Sequence, residues 1–182
     1  MEGSSCFQLE RFLGWRGICI EPHADFFATL TKHRPGSAHE NVCLAAEDGL
    51  VEYVPAGEGE SPYCSGVRDV LLNLKKSGRT VAEQASAVRM PALSLASILR
   101  KHNAPAVIDY GAFDIEGSEW EALRLFPFDE FRFLAISCEV SGNNKAPFRD
   151  LLAKNGYVEA TNPLNHDCPW EFYWLHESIT SR

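Results

Sequence analysis

Short apolar runs alternate with stretches of helical periodicity along most of this chain of 182 residues. Continuous apolar runs are typical of buried parallel strands, because helices cover both faces of such a sheet. They predict strands at 17–21, 41–45, 106–115 and 133–138. Apolar residues three and four positions apart predict helices that begin near residues 5, 22, 94, 118 and 147.

Capping signals support these helix starts. Ser5 with Gln8, and Ser118 with Glu121, have the spacing of a capping box, in which two side chains bond the free N–H groups of the first turn. Ser94 is a further N-cap candidate. These residues therefore predict where three of the helices begin.

The middle of the chain is harder to assign. Asp48-Gly49 predicts a turn into a strand at 50–54, which would pair with 41–45 as a hairpin. The composition of 56–62 is that of a loop. The segment 67–90 mixes leucines with glycine and a polar run, and it predicts no single element.

This order of elements predicts an α/β fold with a doubly wound, mostly parallel sheet, since strands that alternate with helices form βαβ units. Strands at 157–160 and 170–176 add a C-terminal antiparallel hairpin, and residues 1–182 are predicted to form a single domain. Cofactor-binding folds of this type open with a strand and a glycine-rich turn. No strand is predicted before the first helix, so we expect an N-terminally incomplete domain that lacks the first strand.

Charge and composition narrow the range of partners. The formal net charge is −8, and an acidic surface repels both nucleic acid and anionic lipid. No apolar run approaches the roughly 20 residues of a membrane helix, and the N-terminus lacks a secretory pattern. The six cysteines show no zinc-binding spacing, which favours reduced thiols and a cytoplasmic location. His166-Asp167-Cys168 is interpreted as a loop, since consecutive side chains diverge, and no metal site is predicted.

A carboxylate stands at or just after the end of each predicted parallel strand. Open α/β sheets bind ligands at the carboxyl ends of their strands, so the residues there are candidates for a site. They are Glu21, Ala46-Glu47, Asp114 to Gly117, and Glu139. The Glu21 carboxylate could accept both hydroxyls of a ribose, or it could complement the dipole of the following helix.

Asp114 and Glu116 stand two positions apart at a strand end, so they would share a face if the strand continues that far. Such a pair could hold a metal, orient a cationic ligand or act as a base. Alternatively, both acids only cap the helix that begins at Ser118. Gly117 allows a sharp turn or a close approach to a ligand.

Four motifs together resemble the FkbM-type family of S-adenosylmethionine-dependent methyltransferases. They are LGWRGICIEP at 13–22, ENVCLAAEDG at 40–49, DYGAFDIEGSEWEAL at 109–123 and RDLLAKNGYV at 149–158. The resemblance covers most of the chain and implies a seven-stranded, Rossmann-like sheet with a final antiparallel hairpin. It also implies methyl transfer from S-adenosylmethionine, usually to a hydroxyl oxygen, here of a small molecule or glycan.

The same resemblance implies roles for the candidate residues. Glu21 would bind the cofactor ribose, and the pair 46–47 would lie near the adenine. Asp114 would face the methionine end and the substrate, with Glu116 beside it, and these two are the candidate catalytic residues. Gly3 would be the tail of the first glycine-rich motif. The implied cofactor-binding residues are therefore Gly3, Glu21, Pro22, Ala46, Glu47 and Asp114.

The chain departs from the family where a strand and a glycine-containing turn would precede the first helix. Three explanations stay open: an incomplete sequence, strands that close up around the gap, or a strand supplied by another chain.

The alternative function is a non-catalytic methyltransferase-like binding or interaction module that has lost the cofactor loop. A hydrolase using Asp114 and Glu116 is less favoured, since an inverting pair needs roughly 6.5–9.5 Å between carboxyl groups. The sequence predicts neither the acceptor nor the oligomeric state.

Overall fold

A computed structural model describes residues 6–56, 65–75, 86–140, 144–161 and 171–180. The helices in these ranges are α1 (Phe7–Leu13), α2 (Ala24–His33), α3 (Arg68–Lys75), α4 (Leu95–Lys101), α5 (Glu119–Leu123), α6 (Lys145–Lys154) and α7 (Glu177–Thr180). The strands are β1 (Ile18–Ile20), β2 (Ala38–Glu40), β3 (Cys43–Ala45), β4 (Gly49–Val54), β5 (Gly66–Val67), β6 (Val88–Ser94), β7 (Val107–Phe113), β8 (Arg132–Glu139), β9 (Tyr157–Ala160) and β10 (Glu171–His176). The predicted helices begin within two residues of their expected positions.

The strands of the described ranges form three sheets. One contains the parallel pair β1–β2, the second has the order β7-β8-β10-β9, and the third has the order β3-β6-β4-β5. Parallel pairing occurs in β1–β2, β3–β6 and β7–β8, while β4, β9 and β10 pair antiparallel. The predicted mixture of helices and strands is confirmed, and so is the C-terminal antiparallel pair. The sheets are mixed, however, and do not form the single, mostly parallel sheet that was predicted.

The predicted hairpin between 41–45 and 50–54 is wrong. β6 lies between β3 and β4, pairing parallel with β3 and antiparallel with β4. The sequence gives little sign of this strand, because Pro91 lies in its middle and proline is usually confined to edge strands or bulges. The strands β4, β5 and β6 therefore form one four-stranded sheet with β3, in which β3 and β4 are not neighbours.

The main core is packed between the β7-β8-β10-β9 sheet and the helices α4, α5 and α6. Its fully buried side chains include Ile98, Leu123, Ile136, Phe148 and Leu152. The spacing of Ile98 from Leu95, and of Leu152 from Phe148, is the helical repeat expected for one buried face. These contacts hold β7 and α5, and hence the turn between them, in a fixed position.

The helical spacing of Phe26, Phe27 and Leu30 predicts a buried stripe on α2, and this prediction is wrong. None of its residues is buried, and the Phe26 side chain is 39% exposed. The helix α1 has no buried residue either, and its Phe12 is 69% exposed. Apolar spacing identifies the face of a helix that can be covered, but it does not show whether another element covers that face.

Two left-handed glycines follow helix ends, and the N-cap predicted at Ser94 is confirmed. The α1 helix ends at Gly14 with a left-handed φ of 69°, and Gly156 closes α6 with a φ of 81°. The Ser94 hydroxyl accepts a hydrogen bond from the Ser97 N–H at 3.2 Å, which caps α4. The capping box at Ser118 does not form, since its side chain accepts no capping bond.

The strands on either side of the predicted gap are not joined. In the described ranges β1 pairs with β2 and β7 pairs with β8, and no hydrogen bonds connect the two sheets. The strands therefore do not close up around the gap in this part of the chain. In the same ranges, no helix is both long enough and apolar enough to cross a membrane.

We expect Phe148→Ala to lower the free energy of unfolding by about 3–5 kcal/mol, because the change leaves a cavity in the core. Phe12→Ala is the matched control, since it removes the same group from an exposed helix position and should cost less than about 1 kcal/mol. Urea denaturation of the two variants measures both values. Equal losses would contradict the placement of the core.

Candidate functional site

A cavity of about 170 Å³ lies at the carboxyl ends of β1 and β7 and against one side of β3. We call it the carboxylate cavity, because three acidic side chains line it. Its lining consists of Ile20, Glu21, Pro22, Phe26, Val42, Cys43, Leu44, Tyr53, Ser65, Gly66, Val67, Asp114, Ile115, Glu116 and Ser118. The described residues of this lining include no lysine, arginine or histidine, so all their charged groups are acidic.

Four of the sequence-predicted site residues meet in the carboxylate cavity. Glu21 and Pro22 enter from the end of β1, and Asp114 and Glu116 enter from the turn after β7. This convergence agrees with the rule that ligand sites form at the carboxyl ends of strands in α/β folds. Their roles stay predictions, but their proximity is a property of the fold.

Two further predicted residues are not brought to this cavity. Ala46 is half-buried and Glu47 is exposed, and neither lines it. The reason is that β3 pairs with β6 in a separate sheet, so its carboxyl end does not share an edge with β1 and β7. Glu139 ends β8 as predicted, whereas Gly3 and the segment 166–168 lie outside the described residues.

The Glu21 carboxylate is held by the chain that follows it. Its Oε1 accepts a hydrogen bond from the His23 N–H at 2.8 Å, at the start of α2. Burial raises the pKa of Glu21, and this hydrogen bond partly opposes the rise. The helix-end interpretation is therefore correct for Oε1, while Oε2 accepts no hydrogen bond within the described residues and is open to a ligand.

The turn from Asp114 to Gly117 has an unusual backbone. Glu116 has a φ of 55° and Gly117 a φ of 95°, so two consecutive residues are left-handed. This conformation is costly for a residue with a side chain, and such strain is concentrated at functional sites. The condition under which Asp114 and Glu116 would share a strand face is not met, because β7 ends at Phe113. The left-handed turn brings both side chains to the cavity instead.

A buried acid that the sequence interpretation did not select holds this turn. Glu119 is 2% exposed, and its Oε1 accepts hydrogen bonds from the N–H groups of Ile115 at 3.0 Å and Gly117 at 3.2 Å. Burial raises the pKa of Glu119 to about 7, although these hydrogen bonds oppose the rise. Ala122 and Leu123 follow three and four positions later, so they lie on the same face of the helix as Glu119, and both are buried. The apolar character of these two positions was the sequence signal that could have indicated a buried Glu119.

Tyr53 is a second site residue that the sequence did not predict. It is 3% exposed in β4 and lines the carboxylate cavity. Burial raises its pKa to about 12; the Ser65 side chain hydrogen bond opposes this rise, and the nearby Glu21 and Glu116 add to it. The phenol therefore stays protonated at neutral pH and acts as a hydrogen-bond donor. Nothing in the sequence pairs β4 with this site, because its position depends on β6.

The donor set fits an organic ligand. A lining of carboxylates, a phenol and apolar side chains suits hydroxyl groups and positive charge. Within the described residues, no group of three or more His, Cys, Asp or Glu side chains is arranged to hold a metal ion. The site therefore combines apolar walls with acidic and hydroxyl side chains.

Comparison with known families identifies the class of the protein. The model of the methyltransferase FkbM domain matches residues 2–159. The chain therefore belongs to the FkbM methyltransferase family, as its four motifs predicted, and this membership supports a methyltransferase. Comparisons with curated proteins and with solved structures give no match.

Glu119→Gln is expected to change the pH dependence of stability. The folded-state pKa of about 7 exceeds the ordinary value of 4.5, so the folded protein binds the proton more tightly. Stability from this group is therefore full below about pH 4.5 and is lost as the pH rises through about 7, by on the order of 2 kcal/mol. Chemical denaturation between pH 4.5 and 8 measures the loss.

Glutamine keeps the two accepted hydrogen bonds but does not titrate, so the variant should lose this component of the pH profile. Glu47→Gln, an exposed position, is the control and should retain it. If Glu119→Gln and Glu47→Gln both kept the wild-type pH dependence of stability, Glu119 would not titrate as described.

Proposed function

We propose that this chain transfers a methyl group from S-adenosylmethionine to a hydroxyl oxygen of a small molecule or glycan. The observation that carries the proposal is the meeting of Glu21, Asp114 and Glu116 in one cavity whose described lining residues include no cation. Membership of the FkbM family supplies the methyl-transfer chemistry. The parallel pairs β1–β2 and β7–β8 support the finer proposal that these strands are the two halves of a Rossmann-like, doubly wound arrangement.

The residues of the carboxylate cavity fit S-adenosylmethionine. The open Oε2 of Glu21 suits the ribose hydroxyls, and apolar side chains such as Phe26 and Val42 suit the adenine ring. The carboxylates of Asp114 and Glu116 suit the positive sulfonium. The cavity is smaller than the roughly 300–1,000 Å³ of pockets that enclose drug-sized ligands, so the described residues enclose part of the cofactor.

The bound cofactor would supply an activated methyl group, and the chain would align the acceptor with it. As the carbon–oxygen bond forms and the carbon–sulfur bond breaks, the acceptor hydroxyl loses its proton. Asp114 is the residue that we assign to receive this proton, with Glu116 orienting the hydroxyl. Tyr53 remains a donor and would hold an oxygen of the ligand in place.

One observation favours the alternative of a non-catalytic binding module. In the described residues no strand joins β1 to β7, although the ligand-binding backbone of dinucleotide folds usually follows such a central strand. Cofactor binding and methyl transfer must therefore be tested separately. Cytoplasmic location and the absence of nucleic acid or membrane partners also stay predictions from the sequence.

Calorimetric titration with S-adenosylhomocysteine should show micromolar binding to the wild-type chain, with Glu21→Ala weakening it about 10- to 100-fold. This range corresponds to the loss of a charged hydrogen bond. Glu159→Ala is the control, because it removes an exposed carboxylate at the far strand β9. Absence of binding by a folded wild-type chain would favour the non-catalytic module, and equal binding by Glu21→Ala would remove Glu21 from the site.

Asp114→Asn is expected to lower turnover about 10²- to 10⁴-fold, since the amide cannot accept the proton. Its thermal unfolding should stay close to that of the wild type, because Asp114 is not buried in the core. Transfer of labelled methyl groups to a panel of hydroxyl-bearing small molecules and glycans measures turnover. Asp129→Asn, an exposed position, is the control, and unchanged turnover in Asp114→Asn would refute the assignment.

A further inference from the structure

A second cavity, of about 300 Å³, lies between the C-terminal ends of α1 and α2. We call it the α1–α2 cavity. The chain segment that lines it immediately precedes β1, whereas Glu21 follows β1, so the two cavities lie at opposite ends of this strand. None of the described candidate residues of the methyl-transfer site lines it. The α1–α2 cavity is therefore separate from the proposed reaction.

A network of hydrogen bonds fixes the walls of this cavity. Glu10 Oε2 accepts bonds from Arg34 Nε at 2.6 Å and from the Ser37 hydroxyl at 2.9 Å, which ties α1 to the segment after α2. The Ser37 hydroxyl accepts a further bond from the Gly17 N–H at 3.3 Å. The left-handed Gly14 turns the chain sharply at the rim. The cavity is thus preorganised before any ligand enters.

The charges around the α1–α2 cavity leave an excess of cations. Burial alone would raise the pKa of Glu10, but the bonds from Arg34 and Ser37 outweigh it and lower the pKa, so this carboxylate is ionised. Its charge is compensated by Arg34, which is itself buried. Arg11 and Arg16 also line the cavity, and neither forms an ion pair with any described residue. Two guanidinium groups are therefore available on a chain of net charge −8.

We infer that the α1–α2 cavity binds a small molecule that carries a phosphate-type oxyanion. Guanidinium groups such as those of Arg11 and Arg16 match the oxygens of this anion in geometry and charge. His33 adds a ring nitrogen, and Trp15 adds an aromatic surface for the rest of the molecule. The volume of the α1–α2 cavity lies at the lower end of the range for small-molecule pockets, so it fits a small ligand.

The inference concerns binding alone. The Glu10 carboxylate that lines the cavity is paired with Arg34 and Ser37, so its charge is compensated and does not oppose an oxyanion. The inference does not depend on methyl transfer, because it concerns different residues and a different end of β1. Failure of the S-adenosylhomocysteine titration would leave it intact.

Calorimetric titration of the full chain with inorganic pyrophosphate tests the inference. We expect binding that Arg16→Gln weakens at least about 10-fold, as for loss of a charged hydrogen bond, and Arg11→Gln similarly. Arg89→Gln is the matched control, since Arg89 is also exposed but lies in β6, away from this cavity. Quenching of indole fluorescence on binding, lost in Trp15→Phe, would place the anion in the α1–α2 cavity.

Four results would overturn the inference. One is no binding of pyrophosphate by the folded chain, and another is equal binding by Arg16→Gln and Arg89→Gln. The third is binding of a single-stranded oligonucleotide but not of pyrophosphate, which would indicate a macromolecular polyanion. If Arg11 and Arg16 only stabilise helix ends, their variants would lower the melting temperature without changing binding, and the inference would also fail.

Discussion

The turn after β7 depends on one buried carboxylate. The Glu119 carboxylate accepts hydrogen bonds from the N–H groups of Ile115 and Gly117. These two bonds hold Glu116 in a left-handed conformation that is unfavourable for a residue with a side chain. Burying an acid is costly unless hydrogen bonds compensate for it. Here they also position Asp114 and Glu116 at the edge of the carboxylate cavity. Without this pairing, nothing in the strand geometry of β7 would bring both acids to the same place.

Local patterns predicted those features that local physics determines. The strands β1, β7 and β8 were predicted because continuous apolar runs mark buried parallel strands, and their terminal acids followed directly. The sequence did not reveal β6, because Pro91 interrupts its pattern, or β2, which is short and polar. Tyr53 was missed for the same reason, since β4 reaches the site through its pairing with β6. A single sequence can indicate that a strand forms, but it carries little information about which distant strand it pairs with.

Burial of helices was the other feature that patterns could not determine. The apolar residues of α2 have helical spacing, yet Phe26 stays partly exposed while contributing to a cavity wall. Glu119 shows the reverse case, because an acid in a first helical turn is usually explained by the helix dipole, whereas this one is buried. In both cases the tertiary surroundings, not the local spacing, decide which side of the helix meets solvent.

The two halves of the carboxylate cavity are connected although, among the described residues, no strand joins β1 to β7. The Glu21 N–H donates to the carbonyl of Glu40 at 3.0 Å, and the Glu40 carboxylate contacts Lys101 at 2.7 Å and His102 at 2.6 Å. Both basic residues lie at the end of α4, whose Ile98 is fully buried in the main core. The β1–β2 sheet is therefore fastened to the same core that supports β7, and the ion pair with Lys101 and the hydrogen bond with His102 help to keep Glu21 in one cavity with Asp114.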